Sequence, residues 1–146
     1  MKFFVTSIVA ALVSYTAAYT LSYDPVYDTG STSLNTVACA SVLQAHGYTT
    51  YSSLPTFPNI GGAPQITGWG SAYCGTCWSI TYTDPSTPWI STTVIATAID
   101  VGDPARSGYN LSLKTMNDLT GGRAVQLGRV TVTATQLNRS ACGLNW

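Results

Sequence analysis

The chain contains no glutamate and a single histidine, His46, and only 8% of its residues are charged. Each scarcity excludes a kind of chemistry. Glycoside hydrolysis ordinarily sets two carboxyl groups across one bond, and here only Asp24, Asp28, Asp84, Asp100, Asp103 and Asp118 could supply them. All but Asp100 sit in or near turn-like sequence, and none offers Asp100 an obvious tuned partner. Ser/His/Asp chemistry would rest on His46, which no nucleophile-elbow motif accompanies. One histidine and four cysteines without a second close pair also fail the spacing of a zinc site. No catalytic residue, metal or other cofactor is expected. Beyond the first eighteen positions, Arg106, Lys114, Arg123, Arg129 and Arg139 face the six aspartates, a formal charge of −1. That leaves no basic patch for nucleic acid and no cationic amphipathic helix for a membrane.

Long apolar runs are scarce as well. The one present follows Lys2, covers residues 3–13, and leads to the small residues Thr16-Ala17-Ala18, the pattern of a secretory signal over residues 1–18. It falls short of the roughly 20 residues that a spanning helix needs, and no later segment approaches that length. The expectation is a secreted, extracellular product with no membrane span, in which residues 19–146 form one domain. A surface so poor in charge is wetted by Ser, Thr, Asn, Tyr and backbone groups, which suits neutral sugars. A Thr-rich secreted β-protein without sugar binding would have the same composition.

Cys39, Cys74, Cys77 and Cys142 follow the leader, so two disulfides are expected in an oxidising compartment. Three pairings satisfy four cysteines. Cys39 with Cys74 and Cys77 with Cys142 would close loops of about 36 and 66 residues, each worth roughly 4 kcal/mol in the loop-entropy model. Cys74-Gly75-Thr76-Cys77 has the spacing of a thiol oxidoreductase, but that chemistry needs a following helix. Trp78-Ser79-Ile80-Thr81-Tyr82 alternates as a strand instead.

Further strands are expected at 90–99 and 125–135, where Val130, Val132 and Ala134 alternate with Thr131, Thr133 and Thr135. The Gly- and Pro-rich tract 48–70 reads as ordered loop. Short helices are expected at 110–119, stopping at Gly121-Gly122, and at 33–42. Many strands with two small helices indicate an all-β barrel or sandwich.

Several blocks resemble the cerato-platanin family of filamentous fungi: Ser22-Tyr23-Asp24-Pro25-Val26-Tyr27-Asp28, Ser53-Leu54-Pro55-Thr56-Phe57-Pro58-Asn59-Ile60-Gly61-Gly62, Cys74-Gly75-Thr76-Cys77-Trp78, Ala98-Ile99-Asp100, Leu119-Thr120-Gly121-Gly122, Val125-Gln126-Leu127-Gly128-Arg129-Val130 and Cys142-Gly143-Leu144. The resemblance implies an all-β fold with short helices: a single-domain, six-stranded double-psi β-barrel, similar to the first domain of expansins. It also implies disulfides paired first with second and third with fourth, secretion or retention at the cell wall, binding of chitin or N-acetylglucosamine oligomers, and elicitation of plant defence. The chain departs from the family pattern in a longer connection, Asp84-Pro85-Ser86-Thr87-Pro88-Trp89, and in the turn 101–108.

The resemblance places carbohydrate-binding residues at Asp100, Gly108 and Asn110, and Tyr23 joins them as an aromatic candidate for stacking on a sugar face. A carboxylate accepts sugar hydroxyls, a glycine permits close approach and an amide both donates and accepts. Plainer readings exist for each: Asp100 as a turn residue bonding its own backbone, Asn110 as a helix cap. Asn110-Leu111-Ser112 and Asn138-Arg139-Ser140 are also N-glycosylation sequons. Tyr27, Tyr51, Trp69 and Trp89 are further aromatic candidates, with Trp78 expected inside and Trp89 outside. The function expected is non-catalytic wall-glycan binding and elicitation through a plant receptor, which the tract 48–70 would meet. The alternatives are an expansin-like loosening agent or weak hydrolase, and a surface-active protein that self-assembles at interfaces.

Overall fold

A computed structural model of the protein describes residues 17–146. The leader expected at 1–18 lies outside the described residues apart from Ala17 and Ala18. Six strands, β1 (Ala18–Tyr23), β2 (Ile60–Ala63), β3 (Cys77–Thr83), β4 (Ser91–Val101), β5 (Gly108–Leu111) and β6 (Arg129–Leu137), close into a barrel in the order β1-β5-β2-β4-β3-β6. β1 with β5 and β2 with β4 run parallel, and the other four seams are antiparallel. This is the six-stranded double-psi barrel with few short helices that the resemblance implied.

Alternation builds the wall. Val130, Val132 and Ala134 of β6 point into the core while Thr131, Thr133 and Thr135 face solvent, and Trp78, Ile80 and Tyr82 do the same for β3. The Trp78 indole N–H donates to Thr76 Oγ1 at 2.8 Å. Residues 96–99 of β4 are buried without alternation, because loops cross its outer face: Cys39 N–H donates to Ile99 O, and Gly75 N–H donates to Ala98 O.

Four regions differ from the sequence expectation. Residues 125–127 belong to a helical turn, α3 (Ala124–Leu127), closed by Gly128, so β6 begins at Arg129. Helix α2 (Leu113–Thr120) is capped by Ser112, whose hydroxyl accepts from Thr115 N–H; Asn110 lies in β5, so its capping role falls. The region 33–42 divides into a 3-10 turn, Leu34–Thr36, and α1 (Ala40–Ala45). The tract 48–70 is also more than loop, since it contains β2. Its Gly61-Gly62 pair reads as a turn but lies where three strands crowd: a Cβ on Gly61 would stand 2.2 Å from Asn110 O, and one on Gly62 2.3 Å from Val101 O.

The disulfides join Cys39 to Cys74 and Cys77 to Cys142, at sequence separations of 35 and 65. The second ties the start of β3 to the turn after β6. Replacing Cys77 and Cys142 together by Ser is expected to cost about 4 kcal/mol from lost loop closure. Urea unfolding of the double variant checks this, and a loss below about 1 kcal/mol would count against the bridge as a principal staple.

Candidate functional site

Strand register assembles one row across the barrel: Asp100 of β4 opposite Gly62 of β2, Gly62 opposite Asn110 of β5, Asn110 beside Ser22 of β1, and Ser22 opposite Arg129 of β6. Asp100 and Asn110 are therefore two strands apart, roughly 10 Å, and the residue between them carries no side chain. Both are half-buried.

Asp100 is held firmly. Its Oδ1 accepts the N–H groups of Ala38 at 3.0 Å and Val101 at 2.9 Å, and its Oδ2 accepts the Tyr27 hydroxyl at 3.0 Å. A carboxylate has about four acceptor sites, so Oδ2 keeps room for a further hydrogen. The bond to its own Val101 N–H is what the turn-residue reading expected, and it leaves Oδ2 able to accept once more. Burial, with the Asp100 charge second, pushes the Tyr27 phenol far above its ordinary range. The Tyr51 phenol rises chiefly through burial; its ring packs 5.9 Å from that of Tyr27. These two rings are buried and offer no face to a sugar.

Asn110 Oδ1 accepts the Ser22 hydroxyl at 3.2 Å, and its Nδ2 has no partner among the described residues. Gly108 lies on the same strand but is buried beneath side chains: a Cβ there would meet Thr20 Oγ1 at 2.7 Å and Asp103 Cβ at 3.0 Å. The space left by its missing side chain is filled by protein. Tyr23 follows Ser22 on the opposite face of β1 and packs against the core. The fold thus brings Asp100 and Asn110 into one row and sets Gly108 and Tyr23 apart from it. Sequence reasoning missed Ser22, Gly62 and the Tyr27–Asp100 contact; all three fall in the family-like blocks, which was the only signal. Among the other aromatic candidates, Trp69 and Trp89 are exposed at 66% and 78%, and Trp89 tips the long connection between β3 and β4.

The remaining aspartates have structural partners. Asp28 accepts the N–H groups of Leu113 and Lys114 at the start of α2, Asp24 accepts Val26 N–H, and Asp118 pairs with Lys114 at 3.0 Å. Asp103 pairs with Arg106 and Arg129, and hydrogen bonding from Arg106 holds its carboxyl below the usual range. Asp84 is held down to about 2 by hydrogen bonds from Ser86 and then from Arg123. Those two shifts run opposite to what a catalytic acid requires. Among the described residues, no three His, Cys, Asp or Glu side chains are grouped to hold a metal ion. The row can exchange hydrogen bonds with a neutral ligand at Asp100 Oδ2 and Asn110 Nδ2. A separate cleft of 620 Å³ lies on the β3–β6 seam, across the barrel from the β2–β5 seam, with hydroxyls from Thr81, Thr83, Thr131 and Thr133.

Fold and row together describe a small, disulfide-bonded β-barrel with a polar, half-exposed strip on its wall. The cerato-platanin family model matches residues 19–144, and the chain belongs to that family. It is 39% identical over 121 residues to allergen Asp f 15 of Aspergillus fumigatus, covering 82% of this chain and 73% of that one. The crystal structure of cerato-platanin 2 from M. perniciosa superposes with a TM-score of 0.79 at 37% identity, covering 88% of this chain and all of the other. The solution structure of the fungal elicitor cerato-platanin gives 0.65 at 35% identity, covering 84% and 95%. No helix among the described residues is long and apolar enough to cross a membrane.

Proposed function

We propose that the protein is secreted, acts without catalysis, binds N-acetylglucosamine oligomers of cell walls along the Asp100–Asn110 row, and elicits defence in plants. One observation carries the binding reading: an acceptor on Asp100 and a donor on Asn110, both half-buried, stand two strands apart in one row of the barrel wall. Such spacing lets a flat, neutral chain lie on the wall and bond at both ends. The elicitor reading is supported by membership of the family to which the fungal elicitor cerato-platanin belongs. A plant receptor would meet the exposed parts of the tract 48–70, notably Ser52, Ser53, Thr67 and Trp69.

Titrating chitin oligomers and cello-oligomers into the oxidised protein while following backbone amide resonances tests the binding reading. Shifts are expected at Gly62, Asp100 and Asn110. Asp100→Asn is expected to weaken chitin-oligomer affinity by roughly tenfold or more, the worth of a hydrogen bond to a charged group. Asparagine keeps an oxygen for Ala38 and Val101, whereas alanine would leave Ala38 N–H and the Tyr27 hydroxyl unsatisfied and confuse affinity with stability. Unchanged affinity in Asp100→Asn removes the row from consideration, and release of soluble sugar from purified chitin refutes the non-catalytic reading.

A further inference from the structure

We propose that the protein is N-glycosylated at Asn138 and left unmodified at Asn110, although both residues open sequons. This rests on the secretion reading, because sequons are modified in the secretory pathway. Transfer precedes folding, so the folded structure decides which modified chain can still close its barrel.

At Asn138 it can. β6 has ended at Leu137, and Asn138 precedes the 3-10 turn Arg139–Cys142 with extended backbone, φ −61° and ψ 142°. Asn138 and Ser140 are both exposed. Asn138 Oδ1 accepts the Ser140 N–H and the Ser140 hydroxyl, each at 3.2 Å, so the sequon's amide and hydroxyl already lie together. Nδ2, the atom that takes the sugar, has no partner among the described residues. Beside it opens a cleft of 460 Å³ walled by Tyr73, Gln136 and Trp146, where the first sugars meet space rather than protein.

Asn110 is placed differently. It lies inside β5 with β1 on one side and β2 on the other. Its Oδ1 is taken by Ser22, and the Ser112 hydroxyl is fully buried against Thr115 Oγ1 at 2.7 Å. A glycan there would have to leave across Gly62 or Ser22 and would cover the row that includes Asp100. The far end of β6 lies roughly 26 Å along the strand from Arg129, its member of that row, at about 3.3 Å per residue. A glycan on Asn138 therefore leaves the row open.

The modification transfers a preassembled oligosaccharide from a lipid-linked diphosphate donor. Asn138 Nδ2 forms a bond to C1 of the first N-acetylglucosamine and gives up one proton. The bond from C1 to the diphosphate oxygen breaks, that oxygen keeps the electron pair, and lipid diphosphate departs.

The test expresses the full chain in a fungal secretory host and maps peptides of the secreted product after peptide-N-glycosidase treatment in heavy-oxygen water. The label is expected at position 138 and absent from 110. Asn138→Gln and Ser140→Ala should each yield a single unglycosylated species that binds chitin oligomers as the glycosylated protein does. Label at Asn110, or a secreted chain unmodified at Asn138, overturns the inference. A chain retained inside the cell refutes the leader reading instead. Passed through the pathway with a supplied leader, that chain decides the present inference by the same label at 138.

Discussion

Gly61→Ala and Gly62→Ala are each expected to prevent the barrel from closing. A Cβ on Gly61 would stand 2.2 Å from Asn110 O and 2.8 Å from Leu111 Cα, and one on Gly62 would stand 2.3 Å from Val101 O and 2.9 Å from Gly102 Cα. The atoms met are backbone, which cannot rotate aside as a side chain can. Overpacking of adaptable cores costs roughly 1–3 kcal/mol; here β2 must part from β4 or β5, so a loss above about 3 kcal/mol is expected from a domain whose whole stability is typically 5–15 kcal/mol. Secreted yield and the dispersion of amide resonances measure the effect. Gly68→Ala is the control, because a Cβ there meets nothing within 4 Å, and it should be near neutral. A Gly62→Ala protein as stable as the parent would show that the strands do not need this approach.

Stability is expected to collapse in alkali. Tyr27, Tyr51 and Tyr109 are buried, and burial is the first cause that raises each phenol. Their unfolded value is about 10. Below that pH both states are protonated and the stability contribution is complete; above it the unfolded chain ionises while the folded phenols stay neutral. Each tyrosine then withdraws about 1.4 kcal/mol per pH unit until its folded value is reached. Tyr27 and Tyr109, raised furthest, together withdraw roughly 3 kcal/mol per unit above pH 10. Urea unfolding on either side of that pH should show little dependence below it and a steep fall above it. Tyr27→Phe should lessen the slope by one tyrosine's share, and a flat profile through strong alkali would refute the burial of these phenols. The protein has no free thiol, so exchange initiated by a cysteine does not interfere.

Much of the scaffold was legible locally. Alternation in β3 and β6 survives folding unchanged, since one face of each strand meets the core and the other meets water. Trp78 goes inside and Trp89 outside as the surrounding pattern implies. What failed to read was any element whose form depends on distant chain. β2 is too short and too rich in glycine to look like a strand, and it exists only because β4 and β5 supply its partners. Asn110 looks like the start of a helix until β1 pairs with it. Gly108 suggests an opening, yet Thr20 and Asp103 reach over it from remote positions.

By itself the sequence determined the chemical inventory: four cysteines for two bridges, aspartate as the only acidic side chain, one histidine, and Thr-rich strands of period two. Its ordered family-like blocks also implied the barrel and its disulfide pairing. Only the tertiary structure decided the geometry of the row. Asp100 owes its fixed orientation to Tyr27 and Ala38, which lie 73 and 62 residues away, and its neighbour across the row comes from a strand that must pair through Gly62. Local propensity carries no record of such partners, because strand register across a closed barrel is set by all six strands at once.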